Sequence, residues 1–161
     1  MKYLKYFISP ATIVFALFAI SKGAYYPTAF LIGFSFFIIL GDFLIKEDYT
    51  EKTYKHPFFL NLPIYLNLPL LFVFILVSIF SLSNESSLFF SSFLNAPMLS
   101  KLETIRASFT FTDLVSLIFL SGLFIGIMGT VPGHELVHRI KSRLDMFFGN
   151  WLLAFSWDCT F

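Results

Sequence analysis

Three stretches of this chain hold no Asp, Glu, Lys or Arg: residues 23–41, 57–83 and 114–133. A soluble domain cannot hide that many long apolar runs, because each helix or strand must show one face to water. A helix of about 20 residues rises about 30 Å, the thickness of the hydrocarbon core of a bilayer. Inside lipid every backbone N–H and C=O must be satisfied within its own segment, so such runs fold as helices. The expected class is therefore all-α: a polytopic transmembrane protein.

Composition agrees. Of 161 residues, 57% are hydrophobic and only 13% charged, with 24 phenylalanines. Soluble chains are typically about 25% charged. A net charge of +1 gives no reason to expect nucleic acid as a partner. Cys159 is the single cysteine, which excludes an internal disulfide and a thiolate cluster. Any metal here must rely on imidazole and oxygen ligands. The length fits one membrane domain over residues 1–161.

Lys2 and Lys5 ahead of an apolar run at 7–20 have the form of a signal peptide. A second apolar run follows almost at once, so an uncleaved first span over 4–21 is expected. Lys22, Gly23 and the Tyr25-Tyr26-Pro27 cluster mark a tight turn with interfacial aromatics. The second span, 23–41, closes on Asp42, and a polar loop runs on to Lys55 and His56. In the third run the repeat Asn61-Leu62-Pro63 and Asn67-Leu68-Pro69 follows Pro57. Three prolines argue for a kinked or interfacial lead-in, with a regular helix only from about residue 69 to 82. Residues 84–113 read as a loop carrying a short interfacial helix around Leu88-Phe89-Phe90 and Phe93-Leu94. Thr112 or Asp113 is the expected cap of the fourth helix. That span, 114–133, continues into Gly133-His134-Glu135-Leu136-Val137-His138-Arg139, with a bend at Pro132. Beyond Asp145, residues 146–155 look like an amphipathic or re-entrant return to the membrane.

With about four spans and the N-terminus in the cytoplasm, Lys2, Lys5, Lys46, Lys52, Lys55, Arg139, Lys141 and Arg143 fall inside. Lys22, Lys101 and Arg106 fall outside. This split obeys the positive-inside rule and puts GHELVHR on the cytoplasmic side.

Residues four apart on a helix share a face, so His134 and His138 can aim two imidazoles at one ion. His-Glu-x-x-His is also the zinc metalloprotease signature, in which the glutamate activates water. That chemistry needs a third protein ligand, for which His56, Asp42, Asp145 and Asp158 are the candidates. Non-haem iron is the other choice, since imidazole suits it and open positions can take dioxygen. Soluble di-iron bundles use Glu-x-x-His, the reverse of the order here. A non-enzymatic membrane module is the third possibility.

The run from Gly129 through Thr130, Val131 and Pro132 to Arg139 resembles the first histidine box of the integral-membrane di-iron enzymes, the alkane hydroxylases and fatty acid desaturases. It is closest to the alkane hydroxylase form. Leu40-Gly41-Asp42 is similar to the end of that family's second helix, and Trp151 to Asp158 to the stretch before its second box. The resemblance implies that His134 and His138 ligate iron, with Glu135 supporting them without binding the metal and Asp42 a further supporting residue. It also implies an alkane or fatty acyl substrate, dioxygen, an electron donor such as rubredoxin or a ferredoxin, and a bacterial inner membrane. The family carries two more histidine boxes, whereas this chain has three histidines in all. The expectation is the N-terminal portion of a larger enzyme, with the remaining iron ligands outside this chain. His56 reads as a loop residue and Cys159 as an inert thiol. Arg139, Lys141 and Arg143 read as interfacial anchors, with docking of an acidic electron carrier as the lesser role.

Overall fold

The computed structural model describes residues 4–44, 57–83, 92 and 95–157. A 3₁₀ turn (Leu4–Phe7) leads into α1 (Ile8–Lys22), followed by α2 (Tyr26–Leu44), α3 (Pro57–Leu82), α4 (Ala96–Ala107) and α5 (Phe111–Phe124). A π turn (Ile125–Thr130) joins α5 to α6 (Val131–Val137), and α7 (Arg143–Ala154) follows. Among the described residues there is no strand. Lys5–Lys22, Tyr26–Leu44, Phe58–Leu82 and Phe111–Val137 are each long and apolar enough to cross a membrane. The protein is all-α and polytopic, as the uncharged runs require.

The four long helices pack around Ile13, Ala16, Leu71, Phe74, Leu117, Leu120 and Phe124, all essentially buried. On α3 the inward stripe reads Pro63, Asn67, Leu71, Phe74, Ser78 and Ser81, a helical spacing of three and four. Phe124 is the hub of an aromatic cluster, edge-on to Phe34 at 5.5 Å and tilted against Phe74 at 4.9 Å. The outer face of α2, including Phe36, Phe37, Ile39 and Phe43, is exposed, as suits a lipid-facing surface.

Polar ties sort the helix ends into two groups. Ser108 Oγ accepts from Ala24 N at 2.9 Å, and Thr28 donates to Asp113 at 2.6 Å. These join the end of α1 and the start of α2 to α4 and the start of α5. At the other end, α3 residues Asn61 and Asn67 reach Arg139 and Met128. Gly23 makes the first turn at φ 70°, and a Cβ there would collide with Ser108 Oγ. Gly23→Ala is expected to cost about 1–2 kcal/mol from the left-handed backbone and this contact. A thermal unfolding series in detergent checks it, and an unchanged midpoint would remove Gly23 as the hinge of the α1–α2 turn.

Several expectations are corrected. The third run is one continuous helix from Pro57, where a regular helix was expected only from about residue 69. Pro57 opens it where no N–H is needed. Pro63 and Pro69 each remove one bond, but in apolar surroundings a helix remains the best way to satisfy all the others. The fourth helix is capped by Thr110, two residues earlier than expected, with Asp113 as the reciprocal partner of a capping box. Its far end does not run straight to Pro132 but widens into the π turn first. The second helix begins at Tyr26 and runs past Asp42 to Leu44. Within the 84–113 segment the described residues hold α4, while the interfacial helix expected around Leu88-Phe89-Phe90 and Phe93-Leu94 lies outside the described residues, as do the 45–56 loop with His56, and Asp158 and Cys159. The return segment is helical, with Ser142 as its N-cap.

Candidate metal centre

α6 is only seven residues long and carries the histidine pair at its exposed face. His138 is its C-cap but keeps helical angles, φ −69° and ψ −15°, so the two rings stay one turn apart. Their Nε2 atoms face each other at 3.1 Å, with ring centroids 4.7 Å apart and planes at 76°. Two nitrogens bound to one ion at about 2.0–2.1 Å and subtending about 90–110° stand about 2.9–3.4 Å apart. At 3.1 Å the two rings either share a proton or share a metal ion. Their donor set suits a borderline metal such as iron or zinc. Among the described residues no third His, Cys, Asp or Glu joins them into a cluster.

Glu135 lies beside the pair, not in it. Its Oε1 is 3.6 Å from Arg139 Nη2, an exposed i, i+4 ion pair that stabilises little by itself. Arg139 is tied more firmly elsewhere. Its Nη1 donates to Asn61 Oδ1 at 2.8 Å and stands 3.9 Å from Asp145 Oδ2. Asp145 is buried, accepts the Tyr65 hydroxyl, and donates its backbone N–H to Ser142 Oγ at 3.3 Å. One guanidinium thus links the end of α6 to α3 and to the first turn of α7.

α6 and α7 meet through glycine. A Cβ on Gly133 would stand 3.0 Å from Leu152 Cβ and 3.2 Å from the Gly149 carbonyl. Small residues at such crossings let two backbones approach closely, the usual device of membrane helix pairs. Leu68, Pro69 and Phe72 of α3, with Phe147, Phe148, Trp151 and Ala154 of α7 and its C-cap Phe155, line an apolar groove of about 530 Å³. Phe148 stacks on the Tyr65 ring at 4.6 Å, which joins the groove wall to the Asp145–Arg139 network.

Of the residues singled out in the sequence, His134 and His138 are brought together and Glu135 is beside them. Asp42 is exposed near the end of α2, a helix that packs chiefly on α1 and α5. Lys141 and Arg143 are exposed around the α6–α7 turn. Asn61 and Tyr65 were missed, and Asp145 figured only as a spare carboxylate. The one usable signal was the Asn-Leu-Pro repeat, whose asparagines reach Met128 in the last long helix and Arg139 just past its end.

Fold and site together define an all-α polytopic protein with a paired-imidazole site where its last long helix ends. Compared with protein-family models, curated proteins and solved structures, the chain has no significant match.

Proposed function

We propose that this chain is the first part of a membrane non-haem di-iron oxygenase that hydroxylates or desaturates alkanes or fatty acyl chains. The observation that carries this is the convergence of His134 and His138 Nε2 atoms at 3.1 Å where an apolar helix ends. Three histidines are too few for a complete di-iron centre, so the remaining ligands come from outside this chain. Iron, once bound with its full ligand set, supplies the activation of dioxygen that inert carbon–hydrogen bonds require.

The chain's own residues do the rest. His134 and His138 hold two positions of the site, and Glu135 lies beside them within ion-pair distance of Arg139. Arg139, Asn61 and Asp145 fix the end of α6, so the rings are held by three elements instead of one frayed turn. The α3–α7 groove offers an alkyl chain an aromatic wall with little polar surface to desolvate. Lys141 and Arg143 are exposed near the histidine pair, at the end that the charge bias favours as cytoplasmic, where a small acidic electron carrier such as rubredoxin or a ferredoxin can dock. A bacterial inner membrane suits this arrangement.

Metal analysis of the full-length protein in lipid nanodiscs tests the assignment. Iron is expected to co-purify, with at least a tenfold loss of iron per protein in His138→Ala and in His134→Ala. Iron content unchanged by both substitutions sinks the ligand assignment. Bound zinc, with peptide cleavage abolished by Glu135→Gln, would establish the metalloprotease instead.

A further inference from the structure

The π turn lies immediately ahead of the histidine helix. Val131 N–H bonds to the Gly126 carbonyl five residues back, and Thr130 Oγ1 donates to the Ile125 carbonyl at 3.1 Å. A π turn takes up one residue more than an α turn, and one residue corresponds to about 100° of rotation. Every side chain after it is therefore one angular step behind where an unbroken α-helix would put it.

Two groups favour the wide turn. Pro132 has no N–H, and in an α-helix its ring would press on the carbonyl four residues back, that of Met128. Asn67 Nδ2 donates to that carbonyl at 3.2 Å. Asn67 is 2% exposed, and its amide is anchored by Ser9 Oγ, 2.8 Å from Nδ2 and 3.1 Å from Oδ1. An amide so held in an apolar core meets the Met128 oxygen where the π turn places it.

We propose that Asn67 and Pro132, acting through the π turn Ile125–Thr130, are positioning residues that set the rotational phase of the His134–His138 pair. The pattern around α6 shows what is at stake. Glu135 and His138 are exposed, while Leu136 and Val137 are buried. Relaxation to an α-helix advances each residue by one position. His134 then takes the direction of Glu135, Val137 that of His138, and Glu135 that of Leu136. Pro132 replaces Gly133 against Gly149. The two histidines remain paired but aim elsewhere, away from any ligands that complete the site. The inference rests on the metal assignment only for what the phase serves; the phase itself is measured without metal.

The test uses the whole chain in nanodiscs with Cys159→Ser, adding Glu135→Cys or Val137→Cys as a single reporter and following maleimide labelling. In the otherwise unchanged protein, the reporter at 135 is expected to react at least tenfold faster than the one at 137. Asn67→Leu with Pro132→Ala restores a backbone donor to the α form and removes the pin, and the two rates are expected to exchange order. Deleting Ile127 in that background removes the extra residue and should return the original order, a rescue that simple loss of stability does not give. An unchanged order in the double variant overturns the proposal. So does fast labelling at both positions without rescue by the deletion, which is unfolding and not rotation. Absence of metal binding in the unsubstituted protein would count against the oxygenase and leave this result standing.

Discussion

Gly149→Val is expected to unfold the α6–α7 unit at a cost of about 3 kcal/mol or more. A methyl at this position meets Val137 Cγ1 at 2.8 Å, the Gly133 carbonyl at 3.0 Å and Leu136 Cβ at 3.0 Å. Two of these three are a backbone oxygen and a Cβ, which cannot swing aside as the end of a flexible side chain can. Overpacking a tight core costs about 1–3 kcal/mol when neighbours can yield, and here α7 must move as a body. Such a shift pulls Asp145 from Arg139 and Phe148 from Tyr65 together. Gly149→Ala should show a smaller effect in the same direction. Thermal unfolding of both variants in one detergent decides it, and a Gly149→Val midpoint equal to the parent's would mean that the two helices are not in contact.

Asp113→Leu is the second large effect, about 3 kcal/mol, at the opposite end of the bundle. Asp113 is fully buried, yet three donors converge on its carboxylate. Thr110 N–H and Thr110 Oγ1 donate to Oδ2 at 2.9 and 2.6 Å, and Thr28 Oγ1 donates to Oδ1 at 2.6 Å. Ser116 Oγ adds a further contact to Thr28 at 3.2 Å. Leucine keeps the branched shape, though its methyls are bulkier than the oxygens, and it strands these donors and removes half of the capping box, losses of about 1–3 kcal/mol for the donors and about 1 kcal/mol for the cap. Asp113→Asn keeps an acceptor on Thr28 and should fall between the two. Equal stability of the leucine and parent proteins in chemical unfolding would show that the carboxylate is dispensable to the α2–α5 contact.

The parts legible in the sequence were those set by local physics. Absence of charge over 23–41 and 114–133 can be read without any partner, because length and hydropathy alone decide whether a helix fits lipid. The histidine pair was legible for the same reason, since i, i+4 spacing is a property of one helix. What failed depended on neighbours or on small differences between competing hydrogen bonds. Thr110 took the cap from Thr112 because Asp113 could answer it three residues on, a choice between adjacent hydroxyls that pattern does not resolve. The prolines of α3 pointed to a regular helix only from about residue 69, but their cost is set by the apolar surroundings, which favour keeping the remaining bonds. The π turn left Pro132 as its only trace. The side chain that donates to the Met128 carbonyl, Asn67, is 61 residues away. Arg139 likewise looked like an interfacial charge until Asn61, 78 residues earlier, was found across from it.

Those separations have a consequence for how the protein is made. As α3 emerges during synthesis, Met128 and Arg139 do not yet exist, so Asn61 and Asn67 arrive before their later partners. Asn67 lies ten residues inside the helix, about 15 Å from its start, where a bare amide is poorly tolerated. Ser9 is already present on α1 and within reach. The Ser9–Asn67 pair thus ties α3 to α1 through two residues that both precede Met128 and Arg139 in the chain.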